Sequence, residues 1–425
     1  MEAWRKTAKW LLGCLLSAET AAQSPEPPRP RDVWLDPLLP VGWTHDGPAG
    51  DAEGSDWEFD TSALLSVMLI DHGTPNRENY DFDTEKAAVI LQGRYGDAFR
   101  FWIEPDLEGE DSKNHLAEAW GEWLTDRDRW LRVGQFRVAL GTEYATRAEA
   151  LPVPGYAFTS WLAGRTDTGV RLDGYADPDL WYELTATSGN GFDLEGESRE
   201  HAQLSLRGVL TSDPSQGHDF QGFFGGASVA YSPDGDDHIL LMTPAEQTVF
   251  TTEDLGGEDA LWLGMEVGAR CGPFRAGLES MDGTLSDVPV PGGTEDMDQL
   301  TAWTMLLGWS LRGEAPTWER GAWTAYGPAE HAAGQPLPIE FAVRYSNADI
   351  DRDLFDAGLA SYATSAQEVR TFSAAISAYT SPDSRLMLSW VQTIADRENG
   401  LGQPDFDNDN RARNWILRWD VWFGR

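Results

Sequence analysis

The sequence predicts an all-β protein, folded as a transmembrane antiparallel β-barrel in the outer membrane. Three observations carry that expectation. Apolar and polar residues alternate strictly over many stretches of roughly ten residues, the length a tilted strand needs to cross a bilayer. An export leader opens the chain, and an aromatic-rich stretch closes it. Composition agrees. Among 425 residues, 43 Gly and 24 Pro disfavour a helical bundle, while 20 Trp, 17 Phe and 11 Tyr form an aromatic load that β proteins and membrane interfaces share. The apolar share is 41% and the charged share 24%, ordinary values for a folded chain. A mean hydropathy of −0.42 excludes a bundle of membrane helices, but not strands that hide their apolar half by alternation. Seventy acidic residues against 32 basic ones give a net charge of −38, which repels phosphate over most of the surface and excludes nucleic-acid binding through a basic face.

Residues 1–24 read as a cleaved signal peptide. Arg5, Lys6 and Lys9 form its positive end, Trp10 to Ala18 its short apolar run, and Thr20-Ala21-Ala22 the small residues for cleavage near Gln23. The run is too short to span a bilayer as a helix. A lipoprotein site at Leu12-Gly13-Cys14 is the competing reading, but the apolar run mostly follows Cys14 instead of preceding it. Cleavage leaves a chain of about −39, with Cys271 as its one cysteine and therefore no internal disulfide. Only Lys86 and Lys113 then remain as lysines. Residues 25–56 are rich in Pro, Gly and Asp and read as a flexible tether. The rest, 57–425, reads as one barrel domain.

The alternation is clearest at 259–280. Leu261, Leu263, Met265, Val267 and Ala269 share one face, and Trp262, Gly264, Glu266, Gly268 and Arg270 the other. A turn at Cys271-Gly272-Pro273 leads into a return strand with Phe274, Ala276 and Leu278 against Arg275, Gly277 and Glu279. Phe99, Phe101 and Ile103 alternate with Arg100, Trp102 and Glu104; Trp303 to Leu311 alternate with Thr304, Gly308, Ser310 and Arg312. Ile339, Phe341, Val343 and Tyr345 oppose Glu340, Ala342, Arg344 and Ser346, and the last strand sets Trp415, Leu417, Trp419, Val421 and Phe423 against Asn414, Arg418, Asp420 and Trp422. A soluble sandwich would bury the apolar faces; a membrane barrel turns them to lipid. The leader, the strand length, aromatics at strand ends (Trp57, Tyr95, Trp123, Trp181 and Phe423) and the charged second faces favour the barrel. Parity then points Arg100, Arg171, Arg207, Arg270, Arg275, Arg312, Arg344 and Arg418 into the lumen, beside Glu104, Glu266, Glu279, Glu340 and Asp420. Arg132 and Arg137, five apart, share a face only if a bulge at Gly134 intervenes.

There is no His-Glu-x-x-His, no phosphate-cradling Gly-x-x-x-x-Gly-Lys and no Gly-x-Ser-x-Gly. Asp405-Phe406-Asp407-Asn408-Asp409-Asn410 begins like a calcium loop, but lacks Gly at the sixth place and has Ile416 where the bidentate Glu belongs. It reads as a solvated acidic loop. Glu118 and Glu122 lie on one strand face, as a lumen lining would. Neither a catalytic role nor a cofactor nor a metal is expected. The alternative, should the barrel fail, is a secreted acidic β protein that binds or cleaves carbohydrate.

Several segments, in order along 57–425, resemble the phosphate-selective porins O and P. They are Lys86-Ala87-Ala88-Val89-Ile90-Leu91-Gln92-Gly93, Phe99 to Asp106 with its Glu-Pro-Asp ending, Leu131-Arg132-Val133-Gly134-Gln135-Phe136-Arg137, and Gly164 to Val170. Gly313-Glu314, Ile339 to Ser346 and Arg385 to Trp390 follow in place. The resemblance implies about sixteen antiparallel strands, a homotrimer, inward-folded loops that narrow each pore, and passive diffusion of small anions, above all phosphate, along arginines and past a lysine cluster. With two lysines left, that cluster is not available here, and the chain ends on Gly424-Arg425 instead of an aromatic. Wall arginines lie within a few ångströms of a passing ion, while outer acidic loops are screened beyond about 8 Å. Anion conduction with weakened phosphate binding is therefore the expectation, and a general, weakly selective pore the alternative.

Overall fold

The structure is a computed structural model that describes residues 57–71, 80–96, 98–105, 107, 116–126, 129–188, 202–212, 221–233, 239–252, 259–290, 293–312, 315–324, 338–362, 364–381, 383–396 and 411–423. The expected leader at 1–24, the tether at 25–56, Lys113 and the Asp405–Asn410 loop lie outside the described residues.

Twenty strands follow in chain order: β1 (Trp57–Asp71), β2 (Tyr80–Tyr95), β3 (Phe99–Pro105), β4 (Leu116–Asp126), β5 (Arg129–Val138), β6 (Arg165–Asp177), β7 (Leu180–Thr187), β8 (Gln203–Thr211), β9 (Gly222–Ser232), β10 (Leu240–Met242), β11 (Thr248–Thr251), β12 (Asp259–Cys271), β13 (Phe274–Val290), β14 (Gly293–Arg312), β15 (Trp318–Glu319), β16 (Ala322–Trp323), β17 (Ile339–Ile350), β18 (Glu368–Ser381), β19 (Ser384–Asp396) and β20 (Arg411–Phe423). All but β10, β11, β15 and β16 form one closed sheet in which each strand pairs antiparallel with the next. β20 returns to β1, with Ala63 opposite Phe423 and Ser66 opposite Asp420, so no sheet edge is left unpaired. The result is a closed 16-stranded antiparallel barrel.

Exposure decides between lipid and water. On β12, Leu263, Met265 and Val267 are 50%, 71% and 47% exposed, while Trp262 and Glu266 between them are 1% and 5% exposed. A sandwich in water does the reverse. The same inversion runs along β14, β17, β19 and β20. Tight turns join β2–β3, β4–β5, β6–β7, β12–β13 and β18–β19 at one end. Near that end Trp57 stacks on Phe59 and meets Tyr95 and Phe99, and Phe99 meets Trp123, an aromatic collar of the interfacial kind. Trp181 departs from the expectation. It is fully buried inside the barrel, packed with Val209, Phe224 and Trp318, because a chain segment fills the lumen beside it.

Among the described residues, four inward segments fill the barrel. From the long-loop end, residues 139–164 carry α1 (Thr142–Ala145), a 3-10 turn at Ala148–Ala150 and α2 (Phe158–Ala163). The β10–β11 hairpin and the segment with α3 (Arg352–Asp356) enter from the same end and join through Thr252–Ala360 and the Ala366 N–H on Val249 O. Leu140, Phe158, Leu162, Leu241 and Phe250 from these segments bury against Trp262, Met281 and Leu300 of the wall. The fourth is the β15–β16 hairpin, which enters from the tight-turn end between β14 and β17. Arg320 and Gly321 form its tip, both at positive φ (46° and 86°), the twist a two-residue hairpin turn requires. A Cβ on Gly321 would lie 2.9 Å from both Arg207 and Trp181, so only Gly fits.

Candidate functional site

The strands place charges at alternate positions on the lumen side, and the inward segments bring more. Arg100 and Arg132 both reach Glu122, at 2.5 and 3.2 Å, and Arg320 from the hairpin tip joins them at 3.4 Å. Arg320 also holds Asp173 at 2.7 Å, and Arg171 bridges Asp173 and Glu183 at 3.1 and 3.0 Å. Arg207 makes a forked pair with Glu266 (2.7 and 2.8 Å) and donates to Gly321 O at 2.7 Å. Arg275 forks onto Glu340 at 2.9 and 3.0 Å. Arg344 bonds Glu143 at 2.6 Å and the carbonyls of Pro154 and Gly155, which ties the 139–164 segment to β17. Arg385 and Arg418 share Asp420, and Arg418 reaches Glu85 at 2.8 Å.

Seven of the eight arginines assigned to the lumen by parity are thus buried or half-buried inside the barrel: Arg100, Arg171, Arg207, Arg270, Arg275, Arg344 and Arg418. Arg312 is not. A register shift between Ser310 and Arg312 ends the regular ladder, and its side chain stands exposed at the strand end. Arg132 and Arg137 both contact interior partners, Arg132 through Glu122 and Arg137 through Tyr156 on the inward segment. No register shift separates them; Gly134 instead takes a φ of 132°, and the ladder between β4 and β5 stops at Ala119–Gln135, which frees the end of β5 from its neighbour. Arg385 was legible by parity from Leu386 and Leu388 but was not singled out. Arg147 and Arg320 sit on irregular segments and carry no periodic signal.

Among the described residues, two spaces along this wall are defined by their lining. A narrow one is lined by Arg132, Arg137, Arg171, Arg207 and Arg320, with Glu118 and Glu183. The other, of about 340 Å³, lies between β2–β5 and the 139–164 segment. There Arg147 spans Glu104 (2.6 Å), Glu149 and Glu118 (3.6 Å), and Lys86 meets Glu104 at 2.6 Å. Burial opposes the charge on Glu149, but Arg147 and Lys86 overcome it and hold the carboxyl well below its ordinary 4.5. A depressed folded value means a stabilisation that is full above about 4.5 and lost as pH falls through that region. The Glu149→Gln chain should therefore lose less of its urea midpoint than the parent between roughly pH 5 and pH 3. Parallel pH profiles would contradict the pairing.

Solved structures share this architecture. The channel DcaP of Acinetobacter baumannii aligns with a TM-score of 0.54 at 10% identity, over 87% of this chain and 98% of that one. The anion-selective porin from Comamonas acidovorans aligns at 0.53 and 11%, over 86% and 100%. Outer-membrane expressed OmpT of Vibrio cholerae aligns at 0.51 and 10%, over 87% and 99%. The fold is the closed antiparallel barrel that these outer-membrane proteins share. At these identities the likeness is one of fold. No family model matches the sequence, and no curated protein matches it either.

Proposed function

We propose that the chain is an outer-membrane porin, without enzymatic activity, through which small charged solutes diffuse passively. The observation that carries this is the inverted barrel: exposed apolar faces toward lipid and a charged interior narrowed by four inward segments. The finer reading is an anion path along Arg100, Arg171, Arg207, Arg270, Arg275, Arg344 and Arg418, with phosphate as the anion the sequence resemblance suggests. Its support is the five arginines that line the narrow space, since guanidinium forks match phosphate oxygens. Arg312, exposed at its strand end, falls outside that path.

The carboxylate partners argue for a modest preference. Glu122, Asp173, Glu183 and Glu266 already neutralise most of these arginines, so a phosphate competes with bound carboxylates. We place the barrel in the outer membrane after loss of residues 1–24, as a homotrimer by the same resemblance. Boiled and unboiled samples should migrate differently on a denaturing gel, as closed barrels commonly do. The reversal potential of the reconstituted channel in a salt gradient is expected on the anion side, shifting further as phosphate is added. Cation selectivity would remove the anion path, and a chloride conductance indifferent to phosphate would remove the phosphate reading.

A further inference from the structure

The 340 Å³ cavity beside Arg147 has a chemistry different from the arginine-lined space. Its size falls within the range of small-molecule sites, about 300–1,000 Å³. Three cations, Lys86, Arg137 and Arg147, line it together with three carboxylates, Glu104, Glu118 and Glu149. The formal charge of the lining is therefore balanced. Its hydrogen bonding is not. Glu149 uses one carboxylate oxygen on Arg147 and leaves Oε2 buried with no partner. Gln135 spends its amide N–H on Leu116 O and leaves its buried Oε1 without one. Glu118 takes the Trp120 indole N–H on one oxygen, and its other oxygen is 3.6 Å from Arg147, beyond a direct hydrogen bond. Buried acceptors of this kind cost free energy until a donor meets them.

Two unfilled acceptors, one of them carboxylate, beside the Glu118 carboxylate suit an ammonium group, which brings three donors and a positive charge. Lys86 has a side chain 26% exposed and only the Glu104 contact at 2.6 Å, and Arg137 directs one guanidinium nitrogen to the Tyr156 hydroxyl. Both keep donors for an acidic group. A simple anion entering here meets three carboxylates, and a simple cation meets three cations; a molecule carrying both signs meets a partner for each.

We propose that this cavity is a binding site for a compact zwitterion, a small solute bearing an ammonium and a carboxylate. The proposal rests on the porin reading for its setting, since the site would lie along the solute path. It is tested independently of conduction. Full-length, folded protein in detergent is titrated calorimetrically with L-alanine, with L-lactate (hydroxyl in place of ammonium) and with L-alaninol (hydroxymethyl in place of carboxylate). Alanine is expected to bind at least fivefold more tightly than either analogue. Glu149→Gln should weaken alanine and alaninol by fivefold or more and leave lactate unchanged. Arg137→Gln should weaken alanine and lactate and leave alaninol unchanged. Retained heat-modifiable migration verifies that each variant is folded. Lactate binding as tightly as alanine, or an alanine affinity that both variants leave intact, overturns the site. Bilayer conductance of the same preparations reports on the porin reading separately: a conducting channel with no alanine preference removes the site alone, and alanine binding without conductance removes the pore alone.

Discussion

Met265→Arg is expected to destabilise the barrel by roughly 2–4 kcal/mol, whereas Leu311→Arg should cost only about 0–1 kcal/mol. Both side chains are exposed on outward faces. Met265 lies at the middle of β12, where an outward guanidinium must enter the centre of the hydrocarbon, and Leu311 lies next to the end of β14, where it reaches the interface. Urea titration of barrels folded into phospholipid vesicles measures the difference. In a water-soluble β protein an exposed methionine accepts arginine at almost no cost, so two small and equal effects would remove the membrane assignment altogether.

Glu122→Gln carries the second large effect, and it acts on two observables. One carboxylate serves Arg100, Arg132 and Arg320, so its loss strands buried cations from two strands and from the hairpin tip. Breaking a buried pair of this kind costs about 3–5 kcal/mol. Part of that is recovered here, because Arg320 keeps Asp173 at 2.7 Å. The surviving barrel gains a net positive charge beside the arginine-lined space. At ~6 Å in wet surroundings such a charge is worth about 0.7 kcal/mol in favour of a passing anion and as much against a cation, so the anion-to-cation permeability ratio should rise roughly tenfold. Reversal potentials of parent and variant in the same salt gradient give the number. An unchanged ratio would mean that the ion path avoids Glu122.

The wall was legible because its physics is local. A strand with period two shows its two faces wherever it is read, so Leu263 and Glu266, or Leu417 and Arg418, declare themselves without any neighbour. Even the closing strand, with Trp415, Trp419 and Phe423 outward, follows from its own sequence. The interior was not legible for the opposite reason. The Arg275–Glu340 pair joins β13 to β17, two strands apart in the sheet, and exists only once the sheet curves. Arg147 and Arg320 sit on segments too short and irregular to show a period, so nothing in the sequence announces that they turn inward. Two side chains that depart from these expectations are instructive. Arg312 lies past a register shift, and Trp181 was read as a collar residue because a hairpin more than a hundred residues later in the chain was not foreseen as its cover.

That hairpin also suits one order of assembly. Its anchors are Glu122, Thr146, Asp173, Trp181, Arg207, Phe224 and Arg275, all earlier in the chain than Trp318. The seam that shuts the barrel, by contrast, pairs Ala63 with Phe423, a contact across nearly the whole described chain and so among the slowest to form. When residues up to Thr324 have been delivered, all of these anchors are present, while β17 to β20 are still to be added. Strands added in that order would wrap a filling already in place. An empty tube that had closed first would have to admit two tryptophans and an arginine through its own narrow end.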